Sequence, residues 1–169
     1  MCGYWTEGTL YAAMRRLCGR LGSARVVAFF LDWAAGMKTY RGSCHCGAVR
    51  YEAAFDLAVT GTVKCNCSVC TKMRFWGVQV GASCFRLLAG AEALGEYRFG
   101  ARRDGHCFCR VCGINVFSTG ESALLGPFVA VTVASLDDVE VGELVSAPVR
   151  YIDGANDNWT TAPVETRHL

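Results

Sequence analysis

Seven of the chain's eleven cysteines fall into three short motifs. They are Cys44-His45-Cys46-Gly47, Cys65-Asn66-Cys67-Ser68-Val69-Cys70 and Cys109-Arg110-Val111-Cys112-Gly113. Thiolates are soft, anionic ligands that suit zinc, which binds four of them in a tetrahedron at about 2.3 Å. Ligands two apart on an extended chain share one face, and a C-x-x-C turn folds two sulfurs toward one point. The glycines after Cys46 and Cys112 fit tight knuckles, because glycine accepts positive φ and leaves room beside a metal. One C-x-C alone means little, but three such motifs in a single domain form a specific pattern.

Counting ligands divides the set. Cys44 and Cys46 with Cys109 and Cys112 make four, a closed structural site joining the start of the domain to a distant knuckle. Cys65, Cys67 and Cys70 make three, and three protein ligands with one open position is how catalytic zinc sites are built. A fourth protein donor, from His45, Cys84, Cys107 or His106, would close the second site and make it structural too. The remaining cysteines have plainer readings. Cys84 beside Phe85 reads as a core thiol, and Cys107, two before Cys109, shares that strand's face. Cys2 and Cys18 carry no pattern. His45 stands between two ligands, which turns its side chain away from the metal they share.

The elements that must position these motifs are strands. Val49, Tyr51 and Ala53 alternate with Arg50 and Glu52, as a half-buried strand does. Short β-rich runs follow at Thr60–Lys64, Gly77–Val80, Phe85–Leu88, Glu96–Phe99, Asn115–Ser118 and Val129–Ala134, punctuated by glycines. No βαβ rhythm and no solenoid-period repeat is present, so the expected fold is a mainly β, antiparallel domain. Residues 1–36 read differently. Leu10, Met14, Leu17 and Leu21 recur at helical spacing beside Arg15, Arg16 and Arg20, which predicts a short amphipathic helix. Met37 opens the segment in which the metal pattern begins, so an upstream start assigned in error is the competing expectation. The domain is expected over 37–160, followed by a C-terminal tail over 161–169 in which His168 is expected to be unordered.

Composition excludes several classes. A 169-residue chain, 52% hydrophobic with mean hydropathy +0.24 and three prolines, is one domain's length and not a disordered one. A net charge of +2 with no basic stripe argues against nucleic acid as a partner. The longest apolar stretch, Val26 to Leu31, falls well short of the roughly 20 residues a bilayer span needs. The cysteine count is odd and no convincing export signal precedes the motifs. Clustered thiols then point to metal ligands in a reducing cytoplasm.

Together the motifs resemble a known family. Gly42-Ser-Cys-His-Cys-Gly-Ala-Val-Arg-Tyr51, Cys65-Asn-Cys-Ser-Val-Cys-Thr-Lys72 and Phe108-Cys-Arg-Val-Cys-Gly113 resemble the glutathione-dependent formaldehyde-activating enzymes, a family that includes the centromere protein V relatives. Phe85 to Gly90, Glu96-Tyr97, Val131 to Asp138 and Pro148 through Trp159 are similar to its intervening and closing segments. The resemblance implies an Mss4-like fold of antiparallel β-sheets pinned by two zinc ions per chain. It implies Cys44, Cys46, Cys109 and Cys112 as structural ligands, and Cys65, Cys67 and Cys70 as ligands of a catalytic zinc. The implied activity is a carbon–sulfur lyase reaction, with glutathione and formaldehyde as the small thiol and aldehyde. Asn66 and Asn115 stand where many members carry histidine. Family membership alone does not define the substrate.

Two functions of different class follow. One is an enzyme that adds or removes a small aldehyde on a thiol at an open three-cysteine zinc. The other is a non-catalytic zinc module that carries a thiol compound or docks on a partner. Arg98, Arg102 and Arg103 form a small basic cluster, either a seat for glutathione's carboxylates or a solvated loop face. The sequence carries no sign of oligomeric state. A shortened chain beginning at Met37 should keep its metal, its solubility and a melting temperature within a few degrees of the full chain's. Thermal unfolding of the two proteins side by side checks this, and a collapse in yield would show that residues 1–36 pack on the domain.

Overall fold

Strands β1 (Lys38–Ser43) and β2 (Arg50–Phe55) form an antiparallel hairpin in register from Lys38 opposite Phe55 to Ser43 opposite Arg50. The structure is a computed structural model that describes residues 37–100, 104–122 and 126–169. The readings made on residues 1–36, Cys2 and Cys18 among them, and on Arg102 and Arg103 lie outside the described residues. In β2 the expected alternation holds: Tyr51, Ala53 and Phe55 are buried, while Arg50 is exposed.

The other strands are β3 (Thr62–Cys65), β4 (Trp76–Gly81), β5 (Phe85–Ala89), β6 (Leu94–Tyr97), β7 (Gly105–Cys109), β8 (Asn115–Ser122), β9 (Gly126–Thr132) and β10 (Val149–Ile152). Three short helices, α1 (Leu57–Thr60), α2 (Ser68–Met73) and α3 (Val141–Ser146), sit in the connections. The smaller sheet has the order β1-β2-β5 and the larger β10-β3-β4-β9-β8-β7-β6. The fold is mainly β, as expected. Every ladder is antiparallel except β10 on β3, which is parallel from Val149 opposite Thr62 to Ile152 opposite Cys65. That exception has a simple cause. A hairpin turn reverses the chain, but β9 is joined to β10 by a long connection through α3, which lets β10 enter from the same end as β3. Strands β1, β7 and β10 and all three helices were missing from the strand runs expected from the sequence.

The two sheets share one core. Tyr40, Val49, Tyr51 and Phe55 from the small sheet and its turn meet Val78, Val80, Val116, Phe117, Val129 and Val131 from the large one. Tyr51, Phe85 and Phe117 form an aromatic cluster, with ring centroids 5.2 Å apart for Tyr51–Phe85 and 4.7 Å for Phe85–Phe117. The buried Tyr51 hydroxyl meets Ser135 Oγ at 2.7 Å, and Ser135 is further bonded to the Val116 and Thr132 carbonyls. Burial and the Asp137 and Asp138 charges push the Tyr51 hydroxyl's pKa up, with burial the larger cause, while the Ser135 bond opposes them. Tyr51 therefore stays neutral. On the same face, Tyr40 stacks on Phe55 at 4.3 Å and hydrogen-bonds Glu143 of α3, which Lys38 also pairs at 2.9 Å.

The tail does not hang free. Lys64 Nζ donates to the main-chain oxygen of Leu169 at 2.8 Å, and Arg74 Nη1 donates to the His168 carbonyl at 2.9 Å. The expectation of an unordered His168 is corrected: two cations next to the second cysteine motif hold the last residues down. Among the described residues, no helix is long and apolar enough to cross a membrane.

Phe117→Ala should cost about 3–5 kcal/mol, because it empties the ring shared by both sheets. Tyr51→Phe should cost only about 1–2 kcal/mol, since Ser135 keeps its carbonyl partners. Chemical denaturation of both variants checks the ranking, which would reverse if the Tyr51 hydroxyl were the main tie between the sheets.

Candidate metal centre

Each cysteine motif sits where a strand ends and the chain must turn. Cys44 follows β1, and its turn closes with Gly47 N–H on the Cys44 carbonyl at 2.9 Å and Cys44 N–H on the Val49 carbonyl at 3.1 Å. Cys109 ends β7, and its turn closes with Gly113 N–H on the Cys109 carbonyl at 2.8 Å and Cys109 N–H on the Ile114 carbonyl at 2.9 Å. The two knuckles match. Gly47 and Gly113 adopt φ of 73° and 76°, the left-handed region that glycine enters without a Cβ penalty.

The turns bring four sulfurs together. Cys44, Cys46, Cys109 and Cys112 have sulfur atoms all within 4.8 Å of one another. Cys44 Sγ lies 3.5 Å from Cys46 Sγ, which lies 3.7 Å from Cys109 Sγ. Four sulfurs at about 2.3 Å from a tetrahedral zinc are about 3.8 Å apart, so the spacing fits a metal. Cys44 and Cys109 are buried, Cys112 is half-buried and Cys46 is exposed.

The second motif spans a strand, a cap and a helix. Cys65 ends β3, Cys67 is the extended residue that opens α2, and Cys70 lies within its first turn. Their sulfurs also lie within 4.8 Å of one another, and Cys67 N–H points at Cys65 Sγ at 3.4 Å. Among the described residues no other His, Cys, Asp or Glu joins either group. The candidate fourth donors lie elsewhere. His45 is exposed and Cys84 packs against the core. Cys107 is buried in β7, and His106 is buried with Nδ1 3.0 Å from Ser118 Oγ.

Electrostatics make both clusters unstable as bare thiolates. Two unit charges 3.5 Å apart repel by about 5 kcal/mol at an effective dielectric constant of 20. Protons are therefore shared unequally. Hydrogen bonds first from Cys65 and then from Cys70 pull the Cys67 thiol down. The same contacts push Cys65 and Cys70 up, Cys65 chiefly through Cys67 and Cys70 chiefly through Cys65. In the other group, the Ile114 backbone amide is the largest cause drawing Cys112 down to about 6. A divalent cation removes this conflict, because each thiolate then faces a positive charge.

Asn66, Asp153 and Gly154 support the second cluster. The Asn66 side chain donates to Asp153 Oδ1 at 2.7 Å and accepts from Ala155 N–H at 2.9 Å. This clamps the loop after β10 onto the motif. Asn156 is the first cause, and Asn66 the second, that holds the Asp153 carboxyl below its usual range. The sign follows: the clamp is complete above Asp153's ordinary pKa and weakens as pH falls through the lowered one. Between Asp153 and Ala155 lies Gly154, where a Cβ would stand 2.7 Å from Cys65 Sγ and 3.0 Å from Cys67 Cβ. Only a residue without a side chain fits there. Asn66, which stands where many members of the resembled family carry histidine, is thus the post on which this loop is hung. A small depression lined by Cys65, Cys70, Thr71, Arg74, Phe75 and Leu169 opens beside the sulfurs. The Arg98 guanidinium is taken by Glu96, at 2.6 and 3.0 Å.

Comparisons with known proteins agree with this arrangement. The family model described as glutathione-dependent formaldehyde-activating enzyme matches residues 39–151. That range includes all seven clustered cysteines. A crystal structure of a Rhodobacter sphaeroides protein, solved as a structural-genomics target, is similar to this chain at 33% identity with a TM-score of 0.55. The match covers 64% of this chain and 98% of that one.

Gly154→Ala should displace Cys65 and lower the metal affinity of the second cluster by about 10-fold or more, as loss of supporting contacts around metal ligands does. The four-cysteine cluster should be untouched. Metal content after graded chelator treatment checks this, and equal metal retention by variant and parent would show that the loop yields without moving Cys65.

Proposed function

The chain belongs to the glutathione-dependent formaldehyde-activating enzyme family, and from that premise we propose that it is a two-zinc carbon–sulfur lyase acting on a small thiol and formaldehyde. Glutathione is the thiol the family points to. Cys44, Cys46, Cys109 and Cys112 hold a structural zinc, and Cys65, Cys67 and Cys70 hold the catalytic one. The observation that carries this reading is the difference in ligand number between the clusters. Four thiols complete one tetrahedron, while the second group supplies three and is joined by no other described donor.

Zinc, when bound, lowers the pKa of a thiol that joins it and so favours the nucleophilic thiolate at neutral pH. The chain's own residues do the rest. Cys65, Cys67 and Cys70 converge from a strand end and a helix start, so rigid elements set their geometry. Asn66 and Asp153 hold the loop that presses Gly154 against Cys65. A small depression borders Cys65 and Cys70, the side from which a thiol would approach. In the addition direction the thiol sulfur bonds to the aldehyde carbon. The carbonyl π pair moves to oxygen, which takes up the proton that the thiol gave up. Atoms and charge balance without an oxidant or reductant. Nine free cysteines among the described residues suit a reducing compartment, and the cytoplasm is the proposed one.

Cobalt substitution followed during a thiol titration is the decisive experiment. Thiolate-to-cobalt charge-transfer bands should grow with glutathione and stay flat with its S-methyl derivative. Apparent affinity should rise with pH toward the thiol's own pKa of about 8.5, because binding releases that proton. Metal analysis should give two zinc ions per chain. Cys67→Ser should lose one zinc and the thiol response while remaining folded. Cys112→Ser should lower the melting temperature by 10 °C or more, on the order expected where metal binding is folding energy. A spectrum with four protein thiolates at both sites, indifferent to glutathione, would favour a non-catalytic zinc module.

A further inference from the structure

The loop that follows β10 carries an indole to the second cluster. A Cβ placed on Gly154 would stand 2.7 Å from Cys65 Sγ, 3.0 Å from Cys67 Cβ and 3.2 Å from Cζ3 of Trp159. One point thus touches two of the three cysteines and the edge of the Trp159 ring. The contact uses only that edge. Trp159 is 51% exposed, so much of the ring faces solvent beside the sulfurs. The cluster's other two edges are bordered differently. The first turn of α2 runs from Cys67 to Cys70, and the Val69 and Cys70 N–H groups point at the Cys67 sulfur. Cys65 and Cys70 border the small depression, which Phe75 and Leu169 also line. Trp159 stands by the remaining edge, between Cys65 and Cys67.

The indole is held by its loop rather than by core packing. Asp153 N–H donates to the Thr161 carbonyl at 3.1 Å, and Asn158 N–H donates to the Asp153 carbonyl at 3.0 Å. These bonds tie the two ends of the 153–161 loop together. Asp157 turns the chain with φ 57° and ψ 23°, in the left-handed region that aspartate tolerates better than most residues. Asn158 Oδ1 then accepts from the Thr160 and Thr161 N–H groups at 3.2 and 3.3 Å, which fixes the turn around Trp159. Singly exposed apolar residues are common on protein surfaces. This one is set apart by its place: a large apolar face, already ordered by its loop, left half open beside a cluster with a free ligand position. Ordered aromatic surface of that kind gives a small ligand contact area at little cost in entropy.

We infer that Trp159 is a specificity-determining contact, whose exposed indole face packs against the carbon chain of a thiol bound at the second cluster. The inference rests on the proposed thiol-binding role of that cluster and adds a residue outside its sulfur ligands. The ring neither binds the metal nor moves a proton. Its contribution grows with the carbon surface next to the ligand's sulfur, because apolar stabilisation scales with the area removed from water. A tripeptide thiol covers much of the ring, whereas a two-carbon thiol covers little of it. Trp159 therefore ranks thiols by what they carry, while Cys65, Cys67 and Cys70 meet the same sulfur in each.

The test uses the full-length protein and two probes, glutathione and 2-mercaptoethanol. With cobalt in the sites, affinity is read from the charge-transfer bands. Trp159→Ala should weaken glutathione by about 10-fold, the scale of losing one aromatic contact, and 2-mercaptoethanol by less than about 2-fold. Trp159→Phe should restore most of the loss, because a phenyl ring keeps the apolar face. Both variants should keep the parent's metal content, which separates a lost ligand contact from a displaced loop. With zinc in the sites, glutathione should shift the parent's tryptophan emission to shorter wavelength as the ring leaves water. Trp159→Phe should abolish that shift and Trp76→Phe should keep it. If the alanine variant sheds metal, the emission measurement on the phenylalanine variant still decides. Unchanged glutathione affinity in Trp159→Ala, equal weakening of both thiols, or an emission shift that survives Trp159→Phe would overturn the inference while leaving the open metal site intact. Silence of the cobalt bands toward both thiols in the parent would instead overturn the reading on which it rests.

Discussion

Sulfur atoms held within 4.8 Å of one another impose a charge problem that organises much of this molecule. As thiolates they repel, and as thiols they bury groups that hydrogen-bond weakly. The fold nevertheless drives Cys44 and Cys46, from the turn of the small sheet, against Cys109 and Cys112, from a turn of the large one. The two turns are built alike, each with a carbonyl accepting from a positive-φ glycine. A metal at their meeting point would close a long loop between them, and its binding free energy would count directly toward folding. The aromatic cluster of Tyr51, Phe85 and Phe117 lies between the same two sheets, so the apolar core and the four-cysteine site restrain the same pair of layers.

The second cluster is supported differently. Its three cysteines come from one stretch of chain, so its geometry depends on what presses against that stretch. Two neighbours do so. The parallel pairing of β10 with β3 delivers the 153–156 loop, and Asn66 fastens it there. Gly154 then closes on Cys65 with no room for a side chain. On another side the tail reaches Lys64 and Arg74. A site assembled from one local motif and two distant segments can be adjusted for ligand choice without touching the metal ligands. This suits a family in which membership does not determine substrate.

Local features were legible in the sequence because covalent geometry decides them. The spacing of Cys44 with Cys46, of Cys109 with Cys112, and of Cys65 with Cys67 and Cys70 limits which sulfurs converge, and the structure gathers them into those same two groups. The alternation in β2 was readable because a pleated strand repeats every two residues. Strand β7 was missed because Gly105-His106-Cys107-Phe108-Cys109 is buried on both faces and shows no clean alternation. Strand β10 is a four-residue segment stabilised by its partner rather than by its own pattern.

Only the tertiary structure decided what surrounds the second cluster. Nothing in the spacing of Gly154, Asp153 or Leu169 ties them to Cys65, because their approach is the sum of strand pairings and loop closures over about a hundred residues of chain, each worth little alone. It likewise pairs Arg98 with Glu96 and sets Arg74 in the left-handed region at the end of α2, beside the sulfurs. The sequence by itself determined which residues are able to bind a metal and how they divide into four and three. Packing determined what lies beside them, because contact across a fold is a global property that no local period encodes.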